Sequence, residues 1–256
     1  MLCWETLQTH LTTKTLARRG DFFSLIDSTN EEAKRRARAG AETGSVFAAD
    51  YQSGGKGRLG RRWESAKGES LLFSLLLKKP LLPENLGLLP LLSGVAVCRT
   101  LREDLGLDAR IKWPNDVLLG SRKVCGILAE SGSGPDGLWA VVGMGLNLSQ
   151  PAFPADLEKR ATSLFLAGVK EPDACALLSG ICNRLEPLLS AGTLPDAYVP
   201  LCQSLGRRVR FTRDGRVLSG IAAGIAPDGA LLVSLPGGET LPVFSGEVTV
   251  QGIYGE

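Results

Sequence analysis

Tyr51-Gln52-Ser53-Gly54-Gly55-Lys56-Gly57-Arg58-Leu59-Gly60-Arg61-Arg62-Trp63 carries the glycine spacing of a dinucleotide-binding loop at Gly55, Gly57 and Gly60, yet its surroundings exclude that fold. The fingerprint needs a helix opening at the third glycine and an acidic residue ~20 positions further on. Here Arg61-Arg62-Trp63-Glu64-Ser65 runs on to Gly68, and the acidic position falls near Lys79-Pro80. No Gly-Lys-Ser/Thr occurs, so a P-loop is excluded as well. Two strand signals flank the segment, 45–51 (SVFAADY) and the apolar run 70–77, and a loop between strands is the simplest reading.

Further out, Ser28-Thr29-Asn30-Glu31 has the capping-box pattern and 31–39 is rich in helix formers up to Gly40, which predicts a helix opening at Ser28 or Thr29. Residues 86–105 are apolar all round and predict a buried helix, with Pro90 near its start and Gly106 at its end. Strand signals recur over 109–113, 117–119, 124–130 and 138–148, ahead of another helical stretch over 174–189. Strands and helices do not alternate regularly enough for a doubly wound sheet, so an α+β fold on a mixed sheet is expected. From Leu205 short strands are predicted at 207–212, 217–223, 230–234, 240–244 and 247–251, punctuated by Asp214-Gly215, Asp228-Gly229 and Gly237-Gly238. About fifty residues of such hairpins predict a small SH3-like β-barrel. Two domains are expected, 1–204 and 205–256.

With 29 Lys+Arg against 27 Asp+Glu, the net charge of +2 gives no global field for nucleic acid or an anionic membrane. Any basic function must be local. The single histidine, His10, lies outside every motif, which argues against Ser-His-Asp and Cys-His relays and a His-ligated zinc site. Six cysteines scattered without a CxxC read as reduced, mostly buried thiols of a cytoplasmic protein. The longest uncharged apolar stretch, 85–98, is broken by Gly87, Pro90 and Gly94 and falls short of the ~20 residues that span a bilayer. Residues 1–15 lack the pattern of a secretion signal.

Lys56, Arg58, Arg61 and Arg62 set four cations within seven residues, with no carboxylate before Glu64. Cations this dense call for an anion: glycines let backbone N–H groups approach it, and arginine offers planar, permanently charged contacts to phosphate. Taken alone, the segment also reads as a solvated basic loop. Lys112-Trp113-Pro114-Asn115-Asp116 follows a strand. Pro114 is expected to hold Trp113 extended and turn the chain, presenting Asn115 to a nucleotide and Asp116 to Mg²⁺, directly or through water. An ordinary Pro-Asn-Asp turn has the same letters. Lys123 leads into a strand where Gly126 leaves room beside the backbone, which suits either a ligand carboxylate or a surface position. Asn147 closes Gly143-Met144-Gly145-Leu146-Asn147, as a site residue or a structural cap, and its side chain must be satisfied if buried.

Together, Asp27-Ser28-Thr29-Asn30, the 52–63 Gly/Arg stretch, 112–116, 123–130 and 143–147 resemble the biotin protein ligase family in order and approximate spacing. The resemblance runs from about residue 22 to the C-terminus, because the small barrel is similar to the family's C-terminal domain. It implies a catalytic domain of the class II synthetase/biotin–lipoate ligase fold that binds biotin through Ser28, Thr29, Asn30, Gln52, Lys56, Gly57, Arg58, Lys123 and Gly126. Of these, Ser28, Thr29 and Gln52 would contact the ureido ring, Lys123 would hold the carboxylate region, and 56–58 would close over biotin and the adenylate phosphate. Arg58, Arg61, Trp63, Lys112, Asn115 and Asn147 would face ATP, with Lys112 on phosphate and Asp116 on Mg²⁺. Lys56, Arg58, Lys112 and Lys123 would be the catalytic groups. Lys56 and Leu59 stand where the family usually has arginine; Lys56 keeps the charge but not the planar fork, which bears on retention of the adenylate.

The implied reaction converts biotin and ATP to biotinyl-5'-AMP and passes the biotinyl group to a lysine of a biotin carboxyl carrier protein. No enzyme nucleophile is required, which agrees with a single histidine. A lipoate or octanoate ligase or transferase is the nearest alternative; the Gly/Arg loop and Lys-Trp-Pro-Asn-Asp argue against it. A nucleic-acid module resting on 58–62 is opposed by the small patch and near-neutral charge. The resemblance is to the form without an N-terminal DNA-binding domain: the residues before Asp27 fall short of the roughly 50 that a helix-turn-helix takes, so no specific DNA binding is expected. No membrane association is expected, and a homodimer remains open.

Overall fold

The chain is described by a computed structural model that covers residues 2–244 and 248–254. Its first part runs α1 (Trp4–His10), β1 (Gly20–Phe23), α2 (Thr29–Arg38), β2 (Val46–Ala49), β3 (Ser70–Leu77), α3 (Leu89–Glu103) and β4 (Ala109–Lys112). There follow β5 (Asp116–Leu119), β6 (Arg122–Gly134), β7 (Gly137–Asn147), α4 (Ala174–Ala191) and the single turn α5 (Tyr198–Leu201). The last part holds β8 (Arg208–Arg213), β9 (Arg216–Ile225), β10 (Leu231–Ser234), β11 (Thr240–Val243) and β12 (Val248–Val250). Of the strand predicted at 247–251, Glu247 lies outside the described residues.

The first seven strands form one mixed sheet in the order β1-β2-β3-β7-β6-β5-β4, parallel only between β1 and β2. Every residue of β3 is buried, because the sheet is covered on both faces. Leu76 joins Phe47, Val141 and the Ala33–Ala37 side of α2, whereas Phe73, Leu75 and Leu77 face the larger core built on α3 and α4. Two-sided burial explains a strand of near-continuous apolar residues. α3 has Pro90 in its first turn, where a missing N–H breaks no helical bond, and Gly106 follows its end at φ +67°. α4 is capped by Asp173, whose carboxylate accepts from the N–H of Cys175 and Ala176.

The segment before β1 packs on α4. Glu186 accepts from the backbone N–H groups of Lys14, Thr15 and Leu16, and Asn183 donates to the carbonyl of His10. Five of the six cysteines are buried and all are free thiols; Cys3 is exposed. Among the described residues no helix is long and apolar enough to cross a membrane.

Two local expectations need correction. The 28–31 pattern does start α2, but the capping box does not form: Ser28 makes no side-chain cap, and Gln52 Oε1 instead accepts from the Thr29 N–H at 2.7 Å. The would-be partner Glu31 is drawn away by Lys34 and Lys56. β6 also runs four residues beyond Glu130, through Ser131-Gly132-Ser133-Gly134. That polar stretch stays extended because Trp139 on β7 lies over it, and a Cβ at Gly132 would meet the indole at 2.5 Å.

The five remaining strands form an antiparallel sheet, β11-β10-β9-β8-β12. Asp214 (φ +50°) and Gly215 (φ +73°) make the β8–β9 hairpin turn with both central residues left-handed, as the Asp-Gly pair predicts. This sheet is fastened to the first through β4. Trp113, almost fully buried, donates from Nε1 to the Gly229 carbonyl at 3.0 Å, and its N–H donates to Ser204 Oγ at 3.0 Å.

Candidate active site

Loop 52–63 lies across the sheet between β2 and β3, and two connected spaces open beneath it. An inner recess of about 50 Å³ is lined by the start of α2, Gln52, Lys56–Arg58, Trp63 and the glycines of β6 and β7. An outer cavity of about 910 Å³ extends past Trp63, Lys112–Asp116 and Asn147 to Arg160, Thr249 and Tyr254. Gln52, Gly57, Arg58, Trp63, Asn115 and Lys123 line both.

The floor of the recess is a chain of satisfied polar groups. Gln52 Oε1 takes both the N–H and the hydroxyl of Thr29, at 2.7 and 3.1 Å. Ser74 Oγ stands 2.8 Å from Thr29 Oγ1 and donates to Asn30 Oδ1 at 2.6 Å. Asn30 Nδ2 donates to Glu130, which also pairs with Lys34 at 2.5 Å. Buried groups held this way are rigid donors and acceptors. A Cβ at Gly143 would lie 2.0 Å from Asn30 Oδ1, so glycine there is what lets the amide reach the strand.

Gly126 and Gly145 are cross-strand partners on β6 and β7, and the Trp63 indole lies on this pair. A Cβ on Gly145 would come within 2.6 Å of Trp63 Cε2, and one on Gly126 within 2.9 Å of Trp63 Cζ3 and 2.8 Å of Lys123 Nζ. Lys123 Nζ stands 5.5 Å from the indole centroid, a cation–π placement. Gly126 thus leaves room beside the backbone, as its position in the sequence suggests.

Two of the charged groups have partners that the local sequence does not show. Lys56 is paired with Glu31 on α2 at 2.6 Å, a carboxylate distant in sequence that the local count of charges does not see. Asp116 is not an open metal ligand. Its Oδ1 lies 2.6 Å from Lys123 Nζ, its Oδ2 accepts from the Tyr254 hydroxyl at 2.5 Å, and among the described residues no three His, Cys, Asp or Glu side chains gather as a metal site. Burial opposes ionisation of Asp116, but the charge and hydrogen bond of Lys123, with Tyr254 and Lys112, outweigh it and hold its carboxyl below the usual range. Pro114 turns the chain as expected, through a cis peptide after Trp113.

The other predicted residues lie together. Arg58 Nη1 donates to Asn115 Oδ1 at 2.7 Å, and Arg61 lines the outer cavity. Lys112 Nζ stands 4.7 Å from the Tyr254 ring centroid. Asn147 is buried and satisfied: Nδ2 donates to the Thr162 carbonyl at 2.9 Å, and Oδ1 accepts from Gln150 at 3.2 Å. Residues 160–162 run beside Lys123, bonded backbone to backbone, which brings Arg160 to the cavity wall. Arg160, Tyr254 and Ser74 have no sequence motif. Ser74 alone left a signal, as a serine within an apolar strand; the other two reach the site only through tertiary contacts.

Mixed sheet, small antiparallel sheet and a cleft lined by cations and glycines define a protein of the biotin/lipoate protein ligase class. The Biotin/lipoate A/B protein ligase family model matches residues 22–147, and the Biotin protein ligase C terminal domain matches 204–250. The chain belongs to the biotin protein ligase family. It is 32% identical to the biotin--[acetyl-CoA-carboxylase] ligase of Mycobacterium tuberculosis over 89% of this chain and 87% of that one. With the bifunctional ligase/repressor BirA of Bacillus subtilis it shares 30% identity over 83% of this chain and 68% of the relative. The biotin protein ligase from Aquifex aeolicus in complex with biotin and ATP superposes with a TM-score of 0.77 at 29% identity, covering 91% of this chain and 99% of that one.

Proposed function

We propose that this chain is an ATP-dependent biotin protein ligase that forms biotinyl-5'-AMP and then modifies a specific lysine of a biotin carboxyl carrier protein. The observation that carries the reading is the two-part cleft, in which Arg58, Trp63 and Lys123 line both the recess and the larger cavity. A ligand spanning the two spaces meets cations at their junction, where an acid and a nucleotide would be joined. The Mycobacterium relative is named for acetyl-CoA carboxylase, which supports a carboxylase carrier as acceptor.

In the first step a biotin carboxylate oxygen attacks the α-phosphorus of ATP and pyrophosphate leaves. In the second the acceptor amine attacks the carbonyl of the mixed anhydride and AMP leaves, the amine's proton passing to solvent or phosphate. Two anions must approach each other, so the protein's task is alignment and charge stabilisation. Thr29, Asn30 and Gln52 offer fixed polar groups to the ureido ring, and Lys123 is the cation for the carboxylate end. Arg58, with Lys112 beyond it, serves the phosphate, and Trp63 and Asn115 the nucleotide. Lys56 would have to exchange Glu31 for the ligand. Mg²⁺ would arrive with the ATP phosphates; Asp116, held by Lys123 and Tyr254, does not fit a metal in this arrangement.

A recess of about 50 Å³ admits only a few water molecules. Binding biotin therefore requires the Trp63–Lys123 wall and the glycine loop to shift, and their return excludes water from the anhydride. The test is to incubate purified protein, ATP and Mg²⁺ with biotin or lipoate, with and without a carboxylase carrier domain. Biotinyl-adenylate and a singly modified carrier lysine are the expected products by mass spectrometry. Absence of both, or lipoyl products in their place, would refute the reading.

A further inference from the structure

We propose that Tyr254, in the segment that follows the small sheet, is a positioning residue for Lys123 and acts through Asp116; this rests on the ligase reading above. Tyr254 reaches back from beyond β12 to the β5–β6 turn, where its N–H donates to the Ser121 carbonyl at 3.1 Å. Two cations lie over its ring, with Lys112 Nζ 4.7 Å and Arg160 Cζ 5.5 Å from the centroid. The hydroxyl then donates to Asp116 Oδ2 at 2.5 Å, while the other oxygen of the same carboxylate holds Lys123 Nζ at 2.6 Å.

These distances define a relay of one hydroxyl, one carboxylate and one ammonium, of which Lys123 alone reaches the inner recess. To meet an acid in the recess, Lys123 must loosen its hold on Asp116. The Asp116 side chain is only 14% exposed, and a carboxylate so placed is costly to leave without a partner. The Tyr254 hydroxyl stays on Oδ2 throughout, so the carboxylate keeps a strong donor when the lysine turns away. Burial and the adjacent Asp116 charge hold the phenol well above its ordinary pKa, so it remains a donor. Without the hydroxyl, Asp116 would depend on Lys123 and bind it harder, in competition with biotin. The small sheet would thereby set how readily Lys123 is released to the substrate acid.

Tyr254→Phe removes the donor and keeps the ring beside Lys112 and Arg160. Steady-state pyrophosphate exchange should show a biotin KM raised about tenfold, the size of one hydrogen bond to a charged group, with the ATP KM within twofold. In an Asp116→Asn background the same change should leave the biotin KM within twofold, since no carboxylate remains to hold the lysine. Asp116→Asn alone should lower the biotin KM, an arm that does not need the Tyr254 variant to fold. An unchanged biotin KM in Tyr254→Phe, an equal rise in both backgrounds, or parallel rises for biotin and ATP would each overturn the proposal. If the parent catalyses no biotin-dependent exchange, it is the ligase reading that fails.

Discussion

Arg58 Nη1 donates to Asn115 Oδ1 across 2.7 Å, and Asn115 Nδ2 donates onward to the Ile127 carbonyl at 3.0 Å. One amide therefore ties the glycine loop to the turn between β4 and β5 and to β6. Within the loop Arg62 donates to the Ser53 carbonyl, and Leu59 at its tip is 65% exposed with φ +57°. A non-glycine residue held left-handed at an exposed tip is the mark of a segment shaped for something other than packing.

Arg58→Ala should thus leave the fold intact and weaken retention of the activated acid. A hydrogen bond from a charged group contributes about 1.5–3 kcal/mol, which corresponds to adenylate escape ten- to a hundredfold faster. Released adenylate acylates bystander lysines, so biotinylation of an unrelated protein should rise, and limited proteolysis of 52–63 should no longer be slowed by biotin plus ATP. Unchanged bystander labelling with unchanged protection would remove Arg58 from this role.

Lys123→Ala should weaken biotin far more than ATP, because it deletes the cation proposed for the carboxylate end of biotin, whereas Arg58 and Lys112 remain for the phosphates. It should also destabilise the protein by about 1.5–3 kcal/mol, since Asp116 loses a charged partner in a mostly buried position. Titration calorimetry with each ligand and urea unfolding separate the two effects. Equal loss of both affinities would mean a general structural defect.

Much of this arrangement can be read in the order of residues, and the rest fails for identifiable reasons. Periodicity and turn chemistry find β3, α3 and the Asp214-Gly215 hairpin because each is decided by residues within a few positions. The 28–31 pattern locates α2 correctly but misassigns its bonds, since Gln52 and Lys56 compete for the same groups from more than twenty residues away. Lys56 and Asp116 look open in the sequence for the same reason: their partners, Glu31 and Tyr254, are brought by the fold. Arg160 and Tyr254 could not be found without knowing that 160–162 lies beside Lys123 and that the C-terminal segment returns to β5. Glycines were informative where they approach a side chain closely, and the Gly126–Gly145 pair is the clearest instance.

Acid should reveal a local ion pair near the site. Asp27 accepts two hydrogen bonds from Arg35, at 2.8 and 3.0 Å, and is held down to about 2 by this hydrogen bonding, with a smaller opposing effect of burial. A carboxyl depressed in the folded state stabilises it fully above the unfolded value near 4, and that contribution disappears as pH falls through about 2. Because the pair is half exposed, its worth is below about 1 kcal/mol. Asp27→Asn should therefore flatten the stability profile between pH 4 and 2 and cost little at pH 7. A variant profile parallel to the parent's across that interval would contradict the assignment.

The slot beneath Trp63 gives the most direct test of the site's geometry. Gly126 and Gly145 face each other across β6 and β7, and neither has a positive φ, so an added methyl group acts through space and not through backbone strain. At Gly145 that methyl would sit 2.6 Å from the Trp63 ring, well inside van der Waals contact, and the indole must lift. Overpacking of this sort typically costs about 1–3 kcal/mol, and here the cost falls on a side chain that lines both spaces of the cleft. Gly145→Ala should weaken biotin and ATP binding at least roughly tenfold, by the same energy scale, with a shift in Trp63 emission toward longer wavelength. The protein has four tryptophans, so the Trp63 signal is obtained by subtracting the spectrum of Trp63→Phe. Gly134→Ala is the control: its Cβ would be 3.6 Å from Trp139 Nε1, an ordinary contact, and it should leave both affinities unchanged. If Gly145→Ala binds both ligands as the parent does and its Trp63 emission does not move, the indole does not lie on the glycine pair.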